Sequence, residues 1–161
     1  ERVVGELDAA GYKGLVAIKS TVIPGTTDRM RDQYPNLRMA NVPEFLRART
    51  ALADFVYNHD VLVIGVYHDS DYELVKKIHG FFPREVVKVA PIEAEVIKYF
   101  NNVNHSVQIT FANIIYEICQ KIGADYNNVY NAIIKRDCIN PHYLLVNQKS
   151  NINFDLFYYS I

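Results

Sequence analysis

The chain has 161 residues, half of them hydrophobic and 22% charged, and its formal net charge is -1. This composition is typical of a soluble globular protein, and the near-neutral charge argues against a nucleic-acid or anionic-membrane partner. No apolar run approaches the roughly 20 residues that cross a bilayer, and the N-terminus does not resemble a signal peptide. Two cysteines without a CxxC motif, Cys119 and Cys138, favour a reduced, cytoplasmic setting and argue against structural zinc.

Four short segments are predicted strands, at residues 14–20, 37–41, 60–66 and 85–90, and the first is an apolar run rich in β-branched residues. Such runs are typical of strands buried in a parallel sheet. Because predicted helices separate them, the sequence predicts an α/β fold with a parallel sheet.

Three helices are predicted in this first half of the chain. They are residues 3–10, closed by Gly11; residues 28–33, with Thr26 or Thr27 as N-cap; and a helix capped by Asp69 or Ser70 that runs to about residue 79.

One long helix dominates the second half. From Pro91 to Ile122 there is no glycine and no further proline, and the apolar residues keep helical spacing. Pro91 suits a first helical turn and Gly123 a C-terminal cap. About 30 helical residues extend about 45 Å, which predicts a helix that runs between domains or along a subunit interface. A shorter helix is predicted from Tyr126 to about Ile134.

These elements predict three segments. Residues 1–90, with their alternating strands and helices, are predicted to belong to a Rossmann-like, dinucleotide-binding domain. They form its later part, because the GxGxxG motif that normally opens such a fold is missing. Residues 91–148 form a central helical domain. Residues 149–161 begin a further helix, where a polar stretch gives way abruptly to an apolar one.

Residues 19–27, with the sequence KSTVIPGTT, follow the first predicted strand. In open parallel sheets ligands bind at the carboxyl ends of strands, so the hydroxyls and free N–H groups here are candidates to hold a cofactor or a water. The alternative interpretation is a strand-turn-helix connection with capping threonines.

Two further motifs offer catalytic side chains. Glu44, in PEFLR after the second strand, is a general-base candidate, with a solvated loop glutamate as the alternative. Lys98 and Asn102 share one helix face, where they can bind a sugar hydroxyl or stabilise a developing alkoxide. Glu95 can instead pair with Lys98 on the surface. The histidines are isolated and lack metal-site spacing, so no metal is expected.

Three segments together resemble the UDP-glucose/GDP-mannose dehydrogenase family, closest to its UDP-glucose 6-dehydrogenases. They are KSTV with PGTT in residues 19–27, PEFLR followed by TAL and an aspartate in residues 43–54, and EAEVIKYFNN in residues 93–102. Their order and spacing fit the family over roughly residues 1–145. Each motif alone is weak, but jointly they are specific.

The resemblance implies two Rossmann-like domains joined by a long helix that also forms a homodimer. It implies oxidation of the 6-hydroxyl of UDP-glucose to the carboxylate of UDP-glucuronate, in two hydride transfers to NAD+ and without a metal. In the family, a cysteine captures the intermediate aldehyde, and water hydrolyses the thioester that the second transfer leaves.

The resemblance also assigns roles by position. Ser20 and Thr21 match cofactor-binding positions, and Thr21 matches a threonine that also touches an active-site water. Glu44 matches the general base of thioester hydrolysis, and Lys98 and Asn102 match the pair that stabilises the oxyanion. The substrate-binding positions implied are Glu44, Phe45, Leu46, Arg47, Lys98, Asn102, Tyr143 and Leu144.

The sequence departs from the family pattern at several positions. The GFGGxCFxKD loop that carries the nucleophile should follow Leu145, but residues 146–151 read VNQKSN. Neither Cys119 nor Cys138 stands in for that nucleophile. Ala48, directly after PEFLR, replaces the second glutamate of the family's motif, and Cys138 replaces an arginine that reaches the substrate across the family's dimer.

Three interpretations follow. The chain is an incomplete part of a UDP-glucose dehydrogenase, or of a GDP-mannose or UDP-N-acetyl-sugar dehydrogenase, and is inactive by itself. Alternatively, it is a degenerate, non-catalytic fragment that dimerises through the long helix. A β-hydroxyacid-type dehydrogenase is the third interpretation, against which the PEFLR motif argues.

Overall fold

The computed structural model describes residues 1–47 and 50–146 of the chain. Within these residues the protein is of the α/β class, as the sequence predicts. The predicted helix in residues 149–161 lies outside them, as does Ala48. The strands are β1 Leu15–Ile18, β2 Arg38–Asn41, β3 Val61–Gly65 and β4 Glu85–Val89, and the helices are α1 Arg2–Ala9, α2 Thr26–Gln33, α3 Ala51–Tyr57, α4 Asp69–His79, α5 Pro91–Ile122 and α6 Tyr126–Ile133.

The chain divides into two compact units, and each is described by itself. The first unit comprises residues 1–99 and the second begins at residue 100, so the division falls inside helix α5. The first unit contains the sheet together with α1 to α4 and the first turns of α5. The second contains the remainder of α5, helix α6 and a short 3₁₀ helix, Pro141–Tyr143.

The four strands form one sheet in the order β1-β2-β3-β4. The β1/β2 and β3/β4 pairs are parallel, but β2 and β3 are antiparallel and meet at a single residue pair, Asn41 with Gly65. The expectation of an entirely parallel sheet is therefore wrong at this junction. The connection between β2 and β3 contains helix α3, which the sequence patterns do not predict, and it leaves β3 running against β2.

The pairing brings the last residues of all four strands into one row. Asn41 pairs with Ile18 on one side and with Gly65 on the other, and Gly65 also pairs with Val89. Because β2 and β3 are antiparallel, the chain continues in one direction from this row after β1 and β2 and in the opposite direction after β3 and β4.

Hydrophobic residues cover both faces of this sheet. Along β2 the side chains alternate, so that Met39 joins one buried cluster and Ala40 joins the other. The first cluster contains residues of α1 and α2, namely Val4 and Met30, and the second contains Val75 of α4. The two central strands, β2 and β3, are buried on both faces, whereas β4 at the edge of the sheet keeps exposed residues.

The helix ends differ in part from the predicted caps. The N-cap of α2 is Gly25, with φ of 90°, and both threonines lie in the first turn. The N-cap of α4 is His68, which makes no side-chain capping bond. At α6 the Asp125 carboxylate accepts from the Asn127 N–H at 2.8 Å, as a side-chain N-cap does.

Helix α5 has the predicted bounds and contains 32 residues, which corresponds to a length of about 48 Å. Gly123 ends it with φ of 74°, a left-handed conformation that glycine adopts without strain. The following Ala124 N–H donates to the Cys119 carbonyl at 2.9 Å. In the part of the chain that the structure describes, no helix combines the length and apolarity that a membrane crossing requires.

Candidate active site

The candidate site of the first unit lies where the strands end. The first turn of α5 packs closely there, since a methyl group built at Gly65 would lie 2.7 Å from Ala94 Cβ and 2.9 Å from Pro91 Cα. The absence of a side chain at Gly65 therefore allows α5 to begin directly against the end of β3. Lys98 is one turn further along the same helix.

Both carboxylate oxygens of Glu44 have partners. Its Oε1 accepts from the backbone N–H groups of Phe45 and Leu46 at 3.0 and 3.3 Å. Its Oε2 lies 3.1 Å from Nζ of Lys19, the residue that follows β1. The side chain is about one-third exposed. Glu44 is therefore an oriented, solvent-accessible carboxylate, and not a freely moving loop side chain.

Lys98 faces the same segment. Its ammonium lies 5.4 Å from the centroid of the Phe45 ring, within the range of a cation–π interaction. Partial burial lowers the pKa of Lys98 below its ordinary value, and the negative charge of Glu44 acts in the opposite direction. The structure thus brings Glu44, Phe45 and Lys98, three of the predicted site residues, together with Lys19.

Arg47 is held by a buried aspartate. Its Nε and Nη2 donate to the two oxygens of Asp54 at 3.0 and 2.7 Å, and Thr50 Oγ1 donates to the same carboxylate at 2.7 Å. The hydrogen bond from Arg47, followed by that from Thr50, holds the pKa of Asp54 well below its usual range. This bidentate pair links the PEFLR segment to helix α3 and fixes the direction of the Arg47 guanidinium.

Ser20 and Thr21 come directly after Lys19, and Ser20 is exposed while Thr21 is half-buried. Ile23, two residues later, accepts both a backbone and a side-chain hydrogen bond from Thr26. The segment therefore closes as a turn into α2. The cofactor-binding role of Ser20 and Thr21 stays a prediction.

Glu95 is the polar residue whose position the sequence interpretation misses. Instead of pairing with Lys98 on the surface, its side chain is only 2% exposed. Its carboxylate accepts from Gly25 N at 2.5 Å, from Thr27 N at 2.7 Å and from Thr27 Oγ1 at 2.6 Å. A surface ion pair is therefore wrong, because these partners, far away in the sequence, take up the carboxylate.

The remaining predicted residues belong to the second unit. Asn102 is buried, and its side-chain oxygen lies 3.4 Å from Asn101 Nδ2. The Tyr143 ring stacks on His105 with the centroids 3.9 Å apart. The Leu144 carbonyl accepts from the Tyr126 hydroxyl at 2.6 Å. Tyr143 and Leu144 are thus packed against helices of their own unit, and their substrate-binding role stays a prediction.

Among the residues described, no group of three or more His, Cys, Asp and Glu side chains is arranged to hold a metal ion. Cys119 is buried and Cys138 is exposed.

Comparison with protein families gives two matches. A sequence model described as the UDP-glucose/GDP-mannose dehydrogenase family, NAD binding domain, matches residues 3–82, and the central domain of the same family matches residues 92–149. A UDP-glucose 6-dehydrogenase of Rickettsia bellii is 34% identical over 126 residues, which are 74% of this chain and 29% of that protein. A putative UDP-glucose 6-dehydrogenase of Bacillus subtilis is 32% identical over 155 residues, which are 89% of this chain and 36% of that protein.

Solved structures give a consistent result. A UDP-glucose dehydrogenase from Pyrobaculum islandicum has a TM-score of 0.76 and 32% identity, over 88% of this chain and 34% of that one. A GDP-mannose dehydrogenase from Pseudomonas aeruginosa has a TM-score of 0.73 and 25% identity, over 89% of this chain and 37% of that one. The chain thus spans about a third of the length of these relatives.

Proposed function

Because this chain belongs to the UDP-glucose/GDP-mannose dehydrogenase family, we propose that it supplies sugar-oxidising residues of an NAD-dependent nucleotide-sugar dehydrogenase. The substrate proposed is UDP-glucose, whose 6-hydroxyl is oxidised to the carboxylate of UDP-glucuronate. Relatives more than 30% identical to the chain carry the name UDP-glucose 6-dehydrogenase, which favours this sugar over GDP-mannose or a UDP-N-acetyl sugar.

The observation that carries the proposal is the grouping of Glu44 and Lys98 at the strand ends. Lys98 places a half-buried positive charge beside the PEFLR segment. As a sugar hydroxyl loses its proton, negative charge develops on its oxygen, and this charge persists until the hydride leaves the adjoining carbon. An ammonium already in place stabilises that charge more effectively than water does, because it need not reorient.

Glu44 is proposed as the general base. Two backbone N–H groups and Lys19 fix its carboxylate, while about a third of the side chain stays accessible to water. An oriented carboxylate within reach of water can take the proton of an attacking water molecule during hydrolysis of an acyl intermediate. Asn102 is proposed to assist Lys98, and Tyr143 and Leu144 to contact the nucleotide sugar.

NAD is the cofactor of the domain that residues 3–82 match, as the sequence predicts. The hydroxyls of Ser20 and Thr21 fit a cofactor contact, because they follow the carboxyl end of β1, and ligands bind at the carboxyl ends of strands in open α/β sheets. The N-terminus of α2 does not fit a pyrophosphate, because the Glu95 carboxylate already occupies its donors. When bound, NAD+ accepts the hydride that leaves the sugar carbon.

We also propose that the protein is a homodimer through α5. One side of this helix exposes a row of large apolar residues at spacings of three and four, which we term the α5 stripe: Val103, Val107, Phe111, Ile114, Ile118 and Ile122. A continuous apolar stripe of this kind is typical of a helix that packs against another surface.

The test is NADH formation by the full-length protein that contains this chain, with UDP-glucose, GDP-mannose and UDP-N-acetylmannosamine supplied in turn. Activity is expected with UDP-glucose, with two NADH formed for each sugar consumed. The 161-residue chain alone is expected to form none, because its sequence contains neither the GxGxxG motif nor the nucleophile loop. Failure of the full-length protein with all three sugars refutes the proposal.

One observation favours a second candidate, a non-catalytic dimerising module. Cys138 stands where the family resemblance places a substrate-binding arginine, and it is exposed. A dimeric full-length protein that binds none of the three nucleotide sugars would support this candidate. Saturable binding of UDP-glucose would count against it.

A further inference from the structure

Glu95 is a buried acidic side chain with three hydrogen-bond donors around its carboxylate. Two of them, the N–H groups of the N-cap Gly25 and of Thr27, lie at the N-terminus of α2, where backbone N–H groups have no partner within the helix. The third is the Thr27 hydroxyl, which in turn lies 3.3 Å from Asn41 Nδ2. A buried carboxylate is costly unless it is satisfied in this way, so the arrangement is specific.

The contact joins two parts of the chain that are distant in sequence. The separation between Glu95 and its partners is 68 residues for Thr27 and 70 residues for Gly25. Gly25, the N-cap of α2, ends the segment that begins with Ser20 and Thr21. Lys98 is three residues beyond Glu95 on the same helix, about one turn away.

Neighbouring contacts restrain the two helices that Glu95 joins, α2 and its own helix α5. The Tyr67 hydroxyl donates to Asp28 in the first turn of α2 at 2.5 Å, and burial raises the pKa of Tyr67, so the hydroxyl stays a donor. The first turn of α5 is seated on Gly65 with no room for a methyl group. The carboxylate of Glu95 thus connects two elements that are each restrained on another side.

We propose that Glu95 is a positioning residue, whose buried carboxylate holds the segment from Ser20 to Gly25 in a fixed relation to the turn of α5 that carries Lys98. The proposal rests on the proposed function, in which Thr21 contacts the cofactor and Lys98 the reacting oxygen. Glu95 itself is not proposed to contact the cofactor or the reacting oxygen. It acts by keeping the two elements in register, and a small misplacement of reacting groups costs a large factor in rate.

The first experiment measures amide hydrogen exchange by NMR in the full 161-residue chain carrying Glu95→Gln. The amide group retains the shape of the side chain but replaces one acceptor oxygen with an NH2 group, which faces an N–H donor. The Gly25 and Thr27 amides are expected to exchange at least about tenfold faster. The resonances of Thr21 and Lys98 are both expected to shift.

The matched control is Glu93→Gln, in the first turn of α5 and two residues before Glu95. Glu93 is exposed and accepts from the Ala90 N–H at 2.7 Å, so it caps its own helix and does not contact α2. It should leave the Gly25 and Thr27 amides unchanged. Unchanged exchange of these amides in Glu95→Gln overturns the proposal.

A milder variant keeps the test decisive if Glu95→Gln does not fold. Thr27→Val removes only the hydroxyl that donates to Glu95 and retains the shape of the side chain. It should produce the same pattern of shifts at Thr21 and Lys98 with smaller amplitude. Shifts confined to residues adjacent to position 27 would overturn the proposal.

The second experiment measures kinetics of the full-length dehydrogenase at a temperature where each variant is folded. In Glu95→Gln, kcat should fall about tenfold or more while the KM for UDP-glucose changes little, since the groups that bind the substrate remain present. A merely structural residue would lower the unfolding temperature and leave kcat unchanged, and that result overturns the proposal. If the unsubstituted enzyme forms no NADH, the proposed function fails, and the exchange experiment still decides whether Glu95 couples the two elements.

Discussion

The Lys19 ammonium lies 3.1 Å from Glu44 Oε2, so a charge pair joins the residue that follows β1 to the PEFLR segment after β2. Both side chains are partly exposed, 45% for Lys19 and 34% for Glu44. An ion pair with this exposure contributes only about 0 to 1 kcal/mol to stability. Its value therefore lies in the orientation of the Glu44 carboxylate more than in the stability of the fold.

Glu44→Gln is expected to lower NADH formation by the full-length protein about 10² to 10⁴-fold, because the amide cannot accept the proton of an attacking water. Lys19→Met, which leaves the carboxylate in place, should cause a smaller loss. Both variants should change the free energy of unfolding by less than about 1 kcal/mol. Steady-state kinetics and denaturant titrations check this, and equal losses of activity in the two variants would contradict the assignment.

Lys98→Met should reduce activity at least about 10²-fold, because the developing oxyanion loses its charged partner. The same change should not lower stability. Burial lowers the pKa of Lys98, so the unfolded chain holds this proton more tightly than the folded chain does. The free energy of unfolding therefore increases as the pH rises from the pKa of Lys98 in the folded protein to its ordinary value in the unfolded chain. The variant should lose this gain.

The control for Lys98 is Lys77→Met, at an exposed position of α4. It should leave both the activity and the pH dependence of unfolding unchanged. Thermal unfolding at several alkaline pH values, with NADH formation measured in parallel, makes the comparison. Retained activity in Lys98→Met would contradict the proposed role.

Asp54 should make the stability of the protein sensitive to acid. Its pKa is lowered in the folded state by Arg47 and Thr50, so its stabilising contribution is present above the ordinary carboxyl value of about 4 and is lost as the pH falls below it. Asp54→Asn should lower the unfolding temperature at neutral pH and flatten its decline in acid. Asp60→Asn, at an exposed residue just before β3, is the control and should retain the decline.

Gly65→Ala should destabilise the protein by about 1 to 3 kcal/mol, because a methyl group there overlaps Ala94 Cβ and Pro91 Cα. Gly5→Ala in α1 is a matched control, since the nearest atom to the added methyl group is the Tyr34 hydroxyl oxygen at 3.2 Å, the end of a flexible side chain. That change should be neutral or stabilising by about 0.5 to 1 kcal/mol. Chemical denaturation measures both, and equal effects would argue against close packing at Gly65.

Phe111→Glu should convert the proposed dimer to a monomer, because it places a charge in the middle of the α5 stripe. Gln120→Glu introduces the same side chain at an exposed position nine residues away, half a turn from Phe111 around the helix. It should leave the dimer intact. Sedimentation of the two variants distinguishes these outcomes, and a dimer that survives Phe111→Glu would locate the interface elsewhere.

The sequence predicts the elements of this fold better than their arrangement. Strand β3 is recognisable because burial on both sides makes it apolar throughout, and α5 because Pro91 and Gly123 bound a long interval of helical periodicity. Helix α3 has only seven residues and follows a proline-containing motif, so no periodic signal identifies it. The antiparallel junction at Asn41 and Gly65 leaves no local pattern, because direction is a property of the connection.

In the candidate site, too, some features can be predicted from local sequence pattern and others cannot. The positions of Glu44 after a strand and of Lys98 on a helix follow from local pattern, and their roles come from family resemblance. The burial of Glu95 does not follow from local pattern, because a glutamate three residues before a lysine has the spacing of a surface ion pair. Its actual partners at Gly25 and Thr27 become visible only when the two ends of the unit are folded together.

The distance in sequence between Glu95 and α2 also sets an order of events during synthesis. As the chain emerges from the ribosome, α2 is complete some 60 residues before its N-terminal N–H groups can meet the acceptor that satisfies them in the native protein. Until residue 95 has been added, water must solvate the Gly25 and Thr27 amides. The turn that follows Ser20 and Thr21 therefore reaches its final form only after the start of α5 has been translated, so its completion depends on a residue 70 positions beyond Gly25.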